Sequence, residues 1–178
     1  MFDHFLTSLA SVSVPILIIA GNHDSPDRLQ YGNSFFRNHG IHISEMPPRK
    51  EEEHLEKIVL TDEYGDVNFY LLPFTKPSYV RHLFEDVKDL DHEKAISLLL
   101  DREDIDWDQR NVLVSHQFFV SGNGDPERSG SELQYVGGLD SVHTSVIEKF
   151  DYVALGHIHK HQIVGADHIR YSGTPMKI

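Results

Sequence analysis

Three histidines follow apolar segments of the chain, in positions where an imidazole can do chemistry rather than fill a core. His23 comes after the run "ILIIAGN", His116 ends "NVLVSH", and His157 follows "DYVALG". Ligands bind at the carboxyl edge of open α/β sheets, and each of these segments predicts a strand that ends there. A capped turn would explain any one of the three, but the set favours a common site.

The neighbours of these histidines indicate a metal centre. His157 and His159 are two residues apart, a spacing that puts both side chains on one side of an extended chain, and Asn22 adds an amide oxygen. The chain has no cysteine, so the ligands would be imidazole, amide or carboxylate groups, which suit manganese, iron or zinc. Two such ions about 4 Å apart would clamp a phosphoester for attack by activated water. Asp24 either orients His23 or caps the following helix.

The elements that must position these residues alternate between strands and helices, which predicts an α/β fold. Helices are expected at 2–11, from Pro26 to about residue 38, and at 77–86, 91–103 and 141–149. Strands are expected at 15–20, 41–44, 57–74 as a hairpin, 111–116, 151–156, 161–165 and 168–172. Near-continuous apolar strands are typical of a sheet covered on both faces, so one sheet is expected to carry all three histidines at its edge.

Composition limits the class of protein. With 178 residues, 39% of them hydrophobic and 25% charged, the chain suits one domain with an ordinary core. No apolar run could cross a bilayer, and the N-terminus lacks the basic region of a secretory signal, so we expect a cytoplasmic protein without membrane contact. The net charge of −12 opposes nucleic-acid binding. However, residues 51–110 hold 17 acids against 7 bases, so the flanking segments are nearly neutral.

The ordered trio "GNHD" (21–24), "SH" (115–116) and "GHIH" (156–159) resembles the motifs of the calcineurin-like metallophosphoesterases. The segments "IAGNHDSPDRL", "GDPERSGSELQYVGGLDSV" and "IRYSGTPMK" are similar to the DNA nucleases of that family, and this resemblance covers nearly the whole chain. It implies an αββα sandwich that is incomplete at the N-terminus, and a partial nuclease domain over residues 1–178 without the C-terminal domains of the family.

The resemblance also implies roles for individual residues. Asn22, His116 and His157 would bind one metal ion and His159 the other, with manganese preferred. His23 would stabilise the transition state or protonate the leaving oxygen, and Arg128 would contact a DNA phosphate, although its pairing with Glu127 or Glu132 in solvent is also open. The implied activity is exonuclease and endonuclease cleavage at double-strand ends and hairpins, in DNA repair, recombination and replication. The implied partners are DNA, an ABC-type ATPase subunit and a second copy of the chain.

The chain departs from the family pattern before Gly21. The family's D-x-H and G-D-x-x-D motifs precede G-N-H-D, but only twenty residues stand before Gly21 here, and Asp3-His4 matches neither motif. We therefore expect a fragment with weak or no metal binding and no nuclease activity by itself. The alternatives are a phosphatase or cyclic-nucleotide phosphodiesterase of the same fold, and a non-catalytic scaffold.

Overall fold

The computed structural model describes residues 4, 7–8, 11–12, 14–30, 33–122, 126–127 and 140–174. In this part of the chain the strands are β1 (Ile16–Ile19), β2 (Ile41–Ser44), β3 (Glu56–Asp62), β4 (Gly65–Leu72), β5 (Arg110–His116), β6 (Phe118–Val120), β7 (Ser141–His143), β8 (Tyr152–Gly156), β9 (Gln162–Val164) and β10 (Ala166–Tyr171). The α-helices are α1 (Pro26–Gln30), α2 (Asn33–Arg37), α3 (Pro77–Val80) and α4 (His92–Asp101). Two short 3-10 helices span Arg81–Leu83 and Thr144–Val146.

The largest unit is a six-stranded mixed sheet with the order β3-β4-β5-β8-β10-β9. The four inner strands β4, β5, β8 and β10 are parallel, whereas the outer strands β3 and β9 run antiparallel to their neighbours. Parallel strands end at the same edge of a sheet. The register between β5 and β8 places His116 opposite Gly156, so the two predicted motifs meet at that edge.

Helix α4 covers one face of this sheet. It begins at the Asp91 cap, whose side chain accepts a hydrogen bond from the Lys94 backbone N–H at 2.8 Å. Its apolar face is buried in the same core as the inward residues of β5 and β8, as the spacing of its leucines predicts. The buried residues of this helix are Ala95, Ile96, Leu99 and Leu100, with Leu98 partly buried beside them.

The first motif stands on a separate small sheet, so the expectation of one sheet carrying all three histidines is wrong. β1 pairs in parallel with β2 in a two-stranded sheet. A backbone hydrogen bond of 2.9 Å from Phe74 N–H to the Ala20 carbonyl joins this sheet to the end of β4. The α/β class is confirmed, and the carboxyl end of β1 still reaches the edge of the large sheet.

Other expectations differ in detail. The segment expected as a helix at 141–149 forms the strand β7 and a 3-10 helix, because β7 pairs with β6, a strand that the sequence analysis did not predict. Within the helix expected from Pro26 to about residue 38, the structure describes α1 and α2, and residues 31–32 between them lie outside the described residues, as does most of the expected helix 2–11. Within the described ranges, no helix is long and apolar enough to cross a membrane.

Candidate functional site

Three segments that are remote in sequence bring Asn22, His116 and His157 together. The Nε2 atom of His116 lies 3.1 Å from the Asn22 side-chain oxygen, which is hydrogen-bond distance. The imidazole rings of His116 and His157 are 5.3 Å apart between centroids and nearly perpendicular, at 82°. The structure therefore places together the three residues that were predicted to share a metal ion.

Two motif glycines enclose the His116 ring. A Cβ atom added to Gly21 would lie 2.8 Å from His116 Cε1, and one added to Gly156 would lie 2.8 Å from His116 Nδ1. Side chains do not approach one another so closely without displacement. The glycines of "GNHD" and "GHIH" are thus required by the position of His116, a residue far from both in sequence.

Backbone strain marks the start of the "GHIH" segment. His157 has φ of 98°, a region that residues with a side chain rarely adopt. This conformation contradicts the extended backbone from which the sequence analysis placed His157 and His159 on one side. The intervening Ile158 is nonetheless buried, while both histidines are half-buried. Strain of this kind costs about 1–3 kcal/mol and persists where the surrounding structure imposes it.

Phe74, at the end of β4, forms the wall behind the histidines. Its ring stacks on His157 with an interplanar angle of 11° and a centroid distance of 6.4 Å, and it meets His116 edge-on at 6.3 Å. The adjacent Thr75 is fully buried, and its carbonyl accepts a hydrogen bond from the Gln117 side chain at 3.0 Å. The loops after β4 and β5 are therefore held against each other beside the cluster.

The environment of His116 favours the neutral imidazole. The pKa of His116 is lowered to about 4: burial is the largest cause, the nearby His157, His23 and His159 also lower it, and Asp24 opposes the shift. All four of these neighbours therefore lie within electrostatic range of His116. A neutral imidazole is the form that binds metal ions.

Hydrogen bonds to backbone groups fix the segments that carry His23 and His159. Asp24 accepts a hydrogen bond from the Gly21 N–H at 2.7 Å, which closes the loop around the exposed His23. This contact is distinct from the two roles expected for Asp24. On the other side, the carbonyl of His159 accepts a hydrogen bond from Thr174 N–H at 3.0 Å, so the end of β10 supports the "GHIH" segment.

The side chains at the site are of types that bind divalent ions, but they supply only part of a complete ligand set. Metal bonds of about 2.1 Å at right angles separate neighbouring ligand atoms by about 3.0 Å, close to the 3.1 Å between His116 Nε2 and Asn22 Oδ1. Within the described residues, however, no three histidine, aspartate or glutamate side chains form a group that could hold a metal ion. Asn22, His116 and His157 would hold an ion as two imidazoles and one amide, without a carboxylate.

Some residues of the site were not predicted from the sequence, and one predicted residue lies outside the described part of the chain. Phe74, Lys76 and Gln117 were not predicted, although "LLPFTK" is a strand end comparable to the other three and could have directed attention to them. Arg128, expected to contact substrate, lies outside the described residues. A scan against protein-family models finds no match to the chain.

Proposed function

We propose that the chain carries the histidine-rich part of a metal-dependent phosphodiesterase centre of the DNA nuclease type, similar to the SbcD subunit that works with an SbcC-type ABC ATPase. The observation that carries the proposal is the convergence of Asn22, His116 and His157 at one sheet edge. The strained backbone of His157 and the two glycines fitted around His116 support it, because such features cluster at functional sites. An αββα sandwich is the arrangement that the proposal implies for the whole domain.

The surroundings of each site residue indicate the role that we propose for it. Asn22, His116 and His157 would hold one divalent ion, manganese by preference, and His159 would contribute to a second. Ions bound there supply electrostatic stabilisation of the phosphoryl transition state and activate water for the attack. Phe74 and the two glycines keep the imidazole of His116 in place.

His23 has the surroundings of a proton donor rather than of a ligand. It is exposed, in contrast to the half-buried His116, and it lies on the loop that the Asp24–Gly21 hydrogen bond closes. In this position it can hold a proton at the mouth of the centre and give it to the leaving oxygen of a phosphodiester, the role of a general acid. Double-strand ends and hairpins are the DNA substrates that we propose, with a homodimer as the working assembly.

Metal binding by the purified chain tests the centre. We expect weak Mn²⁺ binding in calorimetry, because two neutral imidazoles and an amide offer no negative charge to a cation. His157→Gly removes one ligand and relieves the positive φ, so the variant should fold and bind Mn²⁺ at least about tenfold more weakly. His168→Gln changes a histidine at the start of β10 that bonds to the Glu148 carbonyl, and it should leave affinity unchanged. Equal affinities for wild type and His157→Gly would refute the centre.

Whether the substrate is DNA is tested separately, by fluorescence anisotropy of a labelled hairpin duplex in the presence of Mn²⁺. Unlabelled duplex should displace the probe, and a cyclic nucleotide at the same phosphate concentration should not. Displacement by the cyclic nucleotide as effective as that by unlabelled duplex would instead favour the phosphodiesterase alternative.

A further inference from the structure

The loops around the candidate site hold fewer carboxylates than the segments at the opposite end of the same parallel strands. We call the segments that surround the candidate site the centre loops: residues 20–25, 73–76, 116–117, 156–161 and 172–174. They contain one carboxylate, Asp24, together with Lys76, Lys160 and five histidines. Two further described carboxylates flank these loops: Glu127, which pairs with Lys160, and Glu56, at the start of the antiparallel strand β3.

The opposite end of the same strands is strongly acidic. The segments that lead into β4, β5 and β8 are residues 62–66, 101–110 and 147–152, and they hold ten carboxylates against Arg102, Arg110 and Lys149. Charge of one sign gathered at one end repels a polyanion from that end and directs it to the other. The centre loops are therefore the end of these strands that repels a strand of DNA less.

Lys76 is the centre-loop cation whose side chain faces no described carboxylate. Lys160 pairs with Glu127, whereas none of the described acidic side chains lies within 4.0 Å of Lys76 Nζ. Instead, Lys76 Nζ lies 5.9 Å from the centroids of the Phe74 and Tyr79 rings. Cation–π contacts hold an ammonium group in position without neutralising it.

Phe74 connects Lys76 to the candidate centre. Its ring is 5.9 Å from Lys76 Nζ and 6.4 Å from the His157 ring, so the ammonium lies within about 12 Å of His157. One strand of a duplex presents a phosphate about every 3.4 Å of helix axis, so phosphates flanking the one at the centre fall within this span. An ammonium group is a suitable point-charge partner for such a phosphate.

We propose that Lys76 binds a backbone phosphate that flanks the reacting phosphodiester, and that Phe74 fixes its position relative to His157. The inference rests on the proposed function for its DNA substrate. It adds a substrate-binding residue on the β4 loop, which none of the histidine motifs contains, and explains how a chain of net charge −12 can still engage a nucleic acid.

The experiment measures duplex binding by the full chain as a function of NaCl concentration. Each phosphate contact contributes about 0.9 to the slope of log K against log salt. We expect Lys76→Gln to lower that slope by about one contact and to weaken binding at low salt, and Lys76→Arg to keep both. Lys149→Gln is the matched control, because Lys149 also lies over a ring, that of Trp107 at 5.7 Å, but at the acidic end.

A second measurement needs no variant. Duplex DNA should protect Lys76 from acetylation and leave Lys149 reactive, with the modified positions read by mass spectrometry. The proposal is overturned if the chain does not bind duplex at low salt, if Lys76→Gln keeps the wild-type slope, or if both lysines are protected alike. The Mn²⁺ affinity of the wild-type chain tests the proposed metal centre separately. If wild type binds no Mn²⁺ but Lys76→Gln lowers the salt slope, the role of Lys76 in DNA binding is kept and the metal centre is rejected.

Discussion

At the scale of single residues, the position of His116 depends on the absence of two side chains. Gly21 and Gly156 come from different sheets, and each leaves space that the His116 ring fills. Their role is therefore steric, since neither has the positive φ that most often demands glycine. The histidine and both glycines form one packing unit, so a change in any of them disturbs the same site.

Gly21→Ala is expected to destabilise the fold by about 1–3 kcal/mol, because its Cβ would force the His116 ring or the loop to move. Gly122→Ala is the matched control, since an added Cβ there meets nothing within 4 Å; its effect should stay within about 0.5 kcal/mol. Urea denaturation measures both free energies of unfolding. Equal values for the two variants would show that the ring adapts freely to an added methyl group.

At the scale of elements, β10 supports the segment that follows His116. The buried Tyr171 hydroxyl accepts a hydrogen bond from Phe119 N–H at 2.6 Å and donates one to the Gln117 carbonyl at 2.9 Å. Gln117 in turn bonds to Thr75 beside Phe74. Through the hydroxyl of Tyr171, β10 thus fixes the segment from Gln117 to Phe119 that follows His116.

Tyr171→Phe should cost about 1–3 kcal/mol, because it leaves the buried Phe119 N–H without its acceptor. Tyr64→Phe removes a hydroxyl from a side chain that is 81% exposed and should be nearly neutral. Amide hydrogen exchange should show faster exchange at Phe119 in Tyr171→Phe alone. Unchanged exchange there would mean that another group satisfies this amide.

At the scale of the whole molecule, stability should depend on pH through His116. Its pKa is lowered to about 4 from the usual 6.5, so below pH 6.5 the unfolded chain takes up a proton that the folded chain does not. The stabilisation is complete above pH 6.5 and is lost as pH falls towards 4. Burial raises the pKa of Glu56 and Glu103, and these groups act in the opposite direction near pH 4.5.

Comparison of wild type with His116→Gln isolates the histidine. Between pH 7 and 5, wild type should lose up to about 2 kcal/mol more of its free energy of unfolding than the variant does. Urea denaturation at the two pH values gives these differences. Identical losses in both proteins would mean that His116 titrates normally in the folded state.

The sequence by itself determined the inner strands β5 and β8, the helix α4 and the histidines that follow the strand ends. Periodicity in "NVLVSH" and "DYVALG" located β5 and β8, and the leucine spacing of α4 predicted its buried face, because these patterns reflect local backbone geometry and burial. The histidines at the strand ends followed from the same rule. Such signals involve few residues and short separations, so they can be read without knowledge of the fold.

The tertiary structure alone decided what the site contains around those histidines. Contacts between segments far apart in sequence decide the separation of β1 and β2 from the large sheet and the pairing of β6 with β7. They also decide the positive φ of His157 and the placement of Phe74 and Lys76. No local pattern encodes such contacts, because their free energy arises only when the strands are ordered side by side. Gly21 and Gly156 show this most directly, because their steric role depends on the position of the His116 ring between them.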